Sequence, residues 1–314
     1  MHMQKATLVV GFVCLLVVWE GGNLVYSQPA GLTEAGQTSS MRLGRNLSLT
    51  IGLDVWPNQW ITTVGGSTLR FSPSGDTIER VGTSVATAFS VGLIPTATLV
   101  YQRFFASVSY MWTADYNFGT TEQITLDPSD TFGTSISNLR TTASRQEVDF
   151  TVGYFPLDWL GVAIGYKGIF QEFDSEGFNV LTGGHIDTST FKFNANGIVF
   201  GVLVSARIDD RFSLIGNAFG GYLVSNCSTT PESANIFEGC VFLGNNLYEA
   251  SKLVLRYEPA PQVSITLGYR VQIISNMNAD EVRLTSGEVI KVDDVSGHGL
   301  DVTHGPVIGV NLRF

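Results

Sequence analysis

Histidine beside a carboxylate is the pairing in this chain best suited to chemistry, and it occurs in two places. His185-Ile186-Asp187 lies in one polar stretch, and His298, Asp301 and His304 follow Asp293-Asp294 near the C-terminus. A histidine held by an acid can take a proton from water, so either group contains the parts of a general acid-base site. The plainer reading is that both are polar loop residues, because each lies in a run rich in Gly, Ser, Thr and Asp. His298, Asp301 and His304 are spaced more for a helix than for a strand, so no metal site is expected there. Asp127, Asp130, Asp293 and Asp294 have oxygens that could hold Ca²⁺ weakly, but solvated acids are the expectation. Gly183-Gly184 and Gly220-Gly221 read as turns and strand bends, not as a phosphate-cradling loop. No catalytic residue, metal or cofactor is assigned.

The bulk composition narrows the partners. Eighteen Lys and Arg face 28 Asp and Glu, a net charge of −10, which argues against nucleic acid. Charged residues make up only 15% of the 314-residue chain, against about a quarter in an average globular protein. Gly is abundant at 34 residues, and aromatics are 11% of the chain. Of three cysteines, Cys14 lies in the N-terminal apolar run. Cys227 and Cys240 share a segment rich in Ser, Asn, Thr and Pro, where an oxidising compartment would make them a disulfide.

The elements that must position these residues are strands. Segments of about ten residues with period-two hydrophobicity recur along the chain, in the order long loop, strand, tight turn, strand. Tight turns are expected near Tyr101-Gln102-Arg103, Phe155-Pro156-Leu157-Asp158, Asp209-Asp210-Arg211 and Pro259-Ala260-Pro261. Between them the strands are drawn over 45–56, 84–100, 104–117, 146–155, 159–173, 191–208, 212–224, 247–258, 262–276 and 302–314. Hairpin-like sequence at Glu281 to Val292 leaves 12 or 14 strands open. Trp56, Trp60, Tyr110, Trp112, Tyr154, Trp159 and Tyr257 sit near strand ends, either as interfacial girdles or as scattered lipid-facing residues.

The last ten residues, Gly305 to Phe314, carry the sharpest signal. Ile308, Val310, Leu312 and Phe314 fall on one face of a strand, with Val307, Gly309, Asn311 and Arg313 on the other. A terminal strand with one apolar face, ending on Phe, resembles the closing strand of bacterial outer-membrane β-barrel proteins. That resemblance implies an all-β, antiparallel up-and-down transmembrane β-barrel of about ten strands in the outer membrane. It also implies outer-membrane lipid and the barrel-assembly machinery as partners, the latter engaged through the C-terminal strand. The N-terminus agrees. Met1 to Lys5 is a short basic region, and Ala6 to Trp19 is an apolar run of fourteen residues broken by no charge, too short for the roughly 20 of a membrane helix. Residues 1–27 are therefore read as a cleaved signal peptide, 28–44 as a periplasmic tail and 45–314 as the barrel. The omptin proteases are also ten-stranded barrels, but their acidic and Asp-His pairs do not match this chain in spacing or order.

Strand phase then assigns the lumen. Asp54, Asp115, Glu147 and Asp149 point inward from the first four strands, and Lys167, Arg207, Lys252, Arg256, Arg270 and Arg313 from the later ones. In a narrow barrel such groups pair as buried ion networks. In a wide one they set a transverse field across a water-filled constriction. Ten strands about 4.8 Å apart, tilted near 40°, give a backbone radius of about 10 Å, so the lumen is filled or tightly constricted. The leading expectation is a narrow channel for small solutes or ions. A closed structural or surface-recognition barrel comes second, and an outer-membrane hydrolase third.

Overall fold

A computed structural model describes residues 47–62, 67–71, 77–83, 85–126, 135–179, 185–230, 237–241, 245–275, 281–284, 289–294 and 300–314. Side chains are described over 47–62, 85–119, 140–176, 190–226, 246–275 and 300–314. The signal peptide and tail expected over 1–44 lie outside these residues.

Ten long strands follow from the alternating pattern. They are β1 (Leu47–Thr62), β4 (Ala86–Tyr101), β5 (Phe104–Thr113), β7 (Ser135–Leu157), β8 (Leu160–Asn179), β9 (His185–Arg207), β10 (Phe212–Thr230), β12 (Asn245–Ala260), β13 (Val263–Ser275) and β16 (Leu300–Arg313). Each pairs antiparallel with the next, and β16 returns to β1, so the sheet closes. The seam is fastened past the last assigned strand residue. Phe314 N–H donates to Leu49 O at 2.8 Å, and Leu49 N–H returns a bond to Phe314 O at 3.2 Å. Closure leaves no unpaired edge around this ring, which is what a sheet in hydrocarbon requires.

All four tight turns occur where expected, at one end of the barrel. Gln102 takes a left-handed φ of 54° between β4 and β5. In the β9–β10 turn, Asp209 Oδ1 accepts from the Arg211 and Phe212 amides, both at 2.7 Å, which replaces the bonds that the reversing backbone loses.

Six shorter strands rise at the opposite end: β2 (Ser67–Phe71), β3 (Thr77–Thr83), β6 (Tyr116–Leu126), β11 (Phe237–Val241), β14 (Glu281–Leu284) and β15 (Val289–Asp294). They pair in the order β7, β6, β2, β3, β15, β14, β11, and β11 lies beside β10. Together with the upper halves of β7 to β10 they build a second tier of wall above the first. The expected hairpin at Glu281 to Val292 is thus present as β14 and β15, but it belongs to this tier, and the closed ring keeps ten strands.

Three local expectations are corrected. Trp56 and Trp60 are fully buried inside the barrel and do not form part of a girdle, because β1 runs six residues beyond the expected Trp56 and its even residues all face inward. Tyr110, Trp112, Tyr154 and Trp159 do stand exposed on the outer wall. Asp115 is exposed and not in the lumen. A break at Ala114-Asp115 inserts a bulge between β5 and β6, so the buried inward residues change from odd (Met111) to even (Tyr116, Phe118). His185 and Asp187 lie in β9, not in a loop.

Glycines let neighbouring strands approach. A Cβ at Gly268 would strike the Leu253 carbonyl oxygen and Val254 of β12, whereas one at Gly92 would meet Met111 Sδ at an ordinary 3.5 Å. Gly268→Val is expected to abolish the compact, fast-migrating form on unheated SDS gels, and Gly92→Ala to retain it.

Candidate functional site

The inward faces of β1, β7, β8, β13 and β16 converge on one buried ion cluster. Arg145 and Glu147 stand two residues apart on β7, so both enter the lumen, and Arg145 Nε donates to Glu147 Oε1 at 2.7 Å. Lys167, from the adjacent β8, reaches Glu147 Oε2 at 2.5 Å and Asp149 Oδ1 at 2.9 Å. From β13, Gln272 Nε2 donates to Glu147 Oε2 at 2.9 Å, and Arg270 Nη2 lies 3.4 Å from the same oxygen. From β16, Asp301 Oδ1 accepts from Arg145 Nη1 at 2.8 Å, and Thr303 Oγ1 accepts from the same nitrogen at 2.8 Å. Gln171 Nε2 and Trp60 Nε1 donate to Asp301 Oδ2 at 3.1 and 2.6 Å. Side chains of Arg145, Glu147 and Lys167 are 0% exposed.

The geometry spans the lumen. Around the ring β13 is five strands from β7, on the facing wall, and β16 is four strands away. Glu147 is therefore held from both sides of the barrel at once. An aromatic layer seals the side toward the second tier. Trp60 packs on Tyr116, Phe118 and Phe173 with centroids 4.8, 5.3 and 5.2 Å apart, and Tyr116 Oη donates to Asn58 Oδ1 at 2.5 Å. The Arg145 guanidinium lies 5.4 Å from the Trp60 ring, and that of Arg270 lies 4.7 Å from Trp56.

The remaining lumen charges lie nearer the turn end. Asp54 pairs with Lys252 from β12. Arg256, Glu258 and Arg313 stand at the mouth, and Arg207 bonds Asp209 O at 2.9 Å and Asp210 Oδ1 at 3.0 Å. Sequence phase thus found Asp54, Glu147, Asp149, Lys167 and Arg270, but the separation of the basic mouth from the plug is visible only in three dimensions. Arg145, Asp301, Gln171 and Gln272 were missed as plug residues. Arg145 lies one step beyond the drawn start of its strand, and Asp301 was grouped with His298 and His304. Strand alternation in fact puts Asp301 inside and His304 outside, where His304 Nδ1 is 2.6 Å from Tyr269 Oη. Among the described residues no disulfide is present, and the side chains of Cys227 and Cys240 lie outside them.

Outside, the wall is apolar. Phe89, Phe200, Tyr222, Leu267 and Ile308 are each about half exposed or more, and a shallow hollow lined by Leu99, Ala106, Val152 and Ile164 belongs to the same surface. A closed sheet with an apolar belt outside and paired charges inside is built to stand in hydrocarbon. No protein-family model matches the chain, and neither does any curated protein. Among solved structures it is similar to the outer-membrane protease OmpT of Escherichia coli, with a TM-score of 0.52 at 12% identity over 89% of this chain and 100% of that one. It is also similar to the translocator domain of autotransporter NalP from Neisseria meningitidis, with a TM-score of 0.41 at 8% identity, covering 87% of this chain and 90% of that one. The toluene transporter TbuX of Ralstonia pickettii gives 0.33 at 11%, with the same coverage. The fold is that of a bacterial outer-membrane β-barrel. The turn end of this barrel is then periplasmic and the second tier faces outward from the cell.

In this outer-membrane barrel, Glu147 is the charge whose loss leaves the most behind. Glu147→Ala takes a carboxylate from Arg145 and Lys167, which keep Asp301 and Asp149, and leaves the half-buried Arg270 without its acid, and is expected to cost about 3–5 kcal/mol in urea unfolding from detergent micelles. Asp158→Ala, which breaks the exposed Arg103–Asp158 pair, is expected to cost at most about 1 kcal/mol.

Proposed function

We propose that this chain is a closed outer-membrane barrel that acts through its outer tier, as a surface-recognition or structural element. The reading rests on one observation: Glu147 is gripped from facing walls by Arg145, Lys167, Arg270 and Gln272, with its side chain fully buried. An ion or solute moving along the lumen would have to part these pairs and pass the Trp60 layer. The outer tier, by contrast, is wall that the membrane does not require. Its strands are rich in acids, with Glu79, Glu122, Glu238, Glu281, Asp293 and Asp294 among them, which favours a cationic partner surface.

Assembly follows the same reasoning. Ile308, Val310, Leu312 and Phe314 are exposed on the outer wall beside the β1 seam, which supports a role for this strand in engaging the barrel-assembly machinery. Cys227 lies on β10 and Cys240 on β11, which run side by side, and this supports a disulfide that staples the outer tier. A two-dalton mass difference between reduced and non-reduced protein would reveal it.

Conductance separates the closed barrel from the narrow channel. The refolded protein is expected to be silent in a planar lipid bilayer, and reproducible single-channel steps from folded wild-type protein would overturn the proposal. Deleting 277–299 is expected to abolish binding to its partner surface while the barrel still shifts on unheated gels.

A further inference from the structure

Below the plug the lumen widens into a cup of about 350 Å³, lined among others by Thr50, Asp54, Lys252, Arg256, Thr266 and Arg313. Exposed Pro261 and Gln262 border it, so it opens toward the periplasm. Its charged wall comes from four consecutive strands. In register, Arg256 of β12 faces Thr266 of β13, Thr266 faces Gly309 of β16, and Arg313 of β16 faces Thr50 of β1.

Charge in the cup is unbalanced. Lys252 is matched by Asp54, but Arg256 and Arg313 share one carboxylate. Arg256 Nε stands 3.2 Å from Glu258 Oε1 and donates to Ser213 Oγ at 3.0 Å, and Arg313 Nη2 reaches the same Glu258 oxygen only at 4.0 Å. Both bonds of Arg256 thus use Nε, and among the described residues no protein acceptor meets its Nη groups. A second, independent feature points the same way. Thr266 Oγ1 lines the cup in a residue only 5% exposed, and no protein group bonds it. A polar atom buried without a partner is costly, and the Arg256 side chain, only 19% exposed, holds donors that the protein leaves unused. An oxyanion answers both, since it accepts the Nη fork in a bidentate manner and also takes a hydroxyl proton.

We propose that this cup is a periplasmic binding site for a small molecule carrying one carboxylate or phosphate group, held by Arg256 and Arg313 with the Thr266 hydroxyl donating a further hydrogen bond. The volume lies at the small end of ligand cavities, about 300–1,000 Å³, so the ligand is metabolite-sized and not a polymer. The inference does not depend on what the outer tier binds. A conducting barrel would overturn the closed-lumen reading and leave this one standing.

Calorimetric titration of the full-length protein in detergent micelles, in chloride-free buffer, tests the site with sodium phosphate and sodium acetate as separate probes. Saturable binding of at least one is expected, weakened tenfold or more by Arg256→Gln and by Arg313→Gln, and several-fold by Thr266→Val. Arg103→Gln, which removes a periplasmic-end arginine outside the cup, is expected to change it less than twofold. Phosphate binding alone or acetate binding alone supports the site and names its head group. No saturable heat with either probe overturns the proposal. So does binding that survives both arginine substitutions in protein that still shifts on unheated gels, or that falls equally with Arg103→Gln.

Discussion

The carboxylate of Glu147 is the constraint on which the rest of this barrel depends. A bare carboxylate in a dry lumen would cost several kcal/mol, and it persists only because four donors converge on its two oxygens. Two of those donors come from the facing wall, so the barrel diameter and the side-chain lengths must agree. At a backbone radius of about 10 Å, an arginine or glutamine from one wall meets a glutamate from the other near the axis. Two more strands would open a gap that these side chains could not bridge. Closure of β16 on β1 is the other half of the same condition, because it sets Asp301 where Arg145 can reach it.

Much of this was legible in the sequence, and the limits have physical causes. Period-two alternation is strong where one face meets lipid, so the membrane-level portions of all ten strands and the four tight turns could be drawn from residue types. Above the membrane both faces of a strand can be polar. Alternation fades there although pairing continues, which is why β7 begins eleven residues before its drawn start and Arg145 was lost with that stretch. Trp56 and Trp60 were misread for a related reason. Tryptophan near a strand end favours the membrane interface, but phase overrides residue type, and in β1 the even phase that holds Asp54 also holds both indoles. Asp115 shows the opposite failure, since phase was carried across a bulge that nothing in Ala114-Asp115 announces.

The second tier has a different basis from the first. Its ring mixes parallel with antiparallel pairs, β2 with β6 and β3 with β15 being parallel, because it is assembled from separate loops instead of from consecutive hairpins. Hairpins impose antiparallel neighbours, whereas loops rising from different strands can meet in either sense. Only β7 to β10 run through both tiers, and they are the strands whose own length, up to 23 residues, fixes how high the wall stands. The outer tier is thus built on strands two of which, β7 and β8, also carry Glu147, Lys167 and Phe173, so the plug lies directly beneath that wall.

The order of charges along the chain now has a structural explanation. Acids early and bases late look like a field across a channel. In a closed up-and-down barrel of ten strands, however, strands half the chain apart face each other. A plug that ties distant walls therefore includes pairs with one member from each half, as Asp54 with Lys252 and Glu147 with Arg270, beside the neighbour pairs that Lys167 makes with Glu147 and Asp149. The sign is not fixed by this rule, only the separation, and Arg145 with Asp301 satisfies it in reverse. For these cross-lumen pairs, segregation in sequence is neutralisation in space. The Arg256 and Arg313 pair departs from that rule, since both bases come from the late half and no early-half acid answers them. The surplus positive charge therefore stays at the periplasmic mouth, on the open side of the plug, where an anion from solution can reach it.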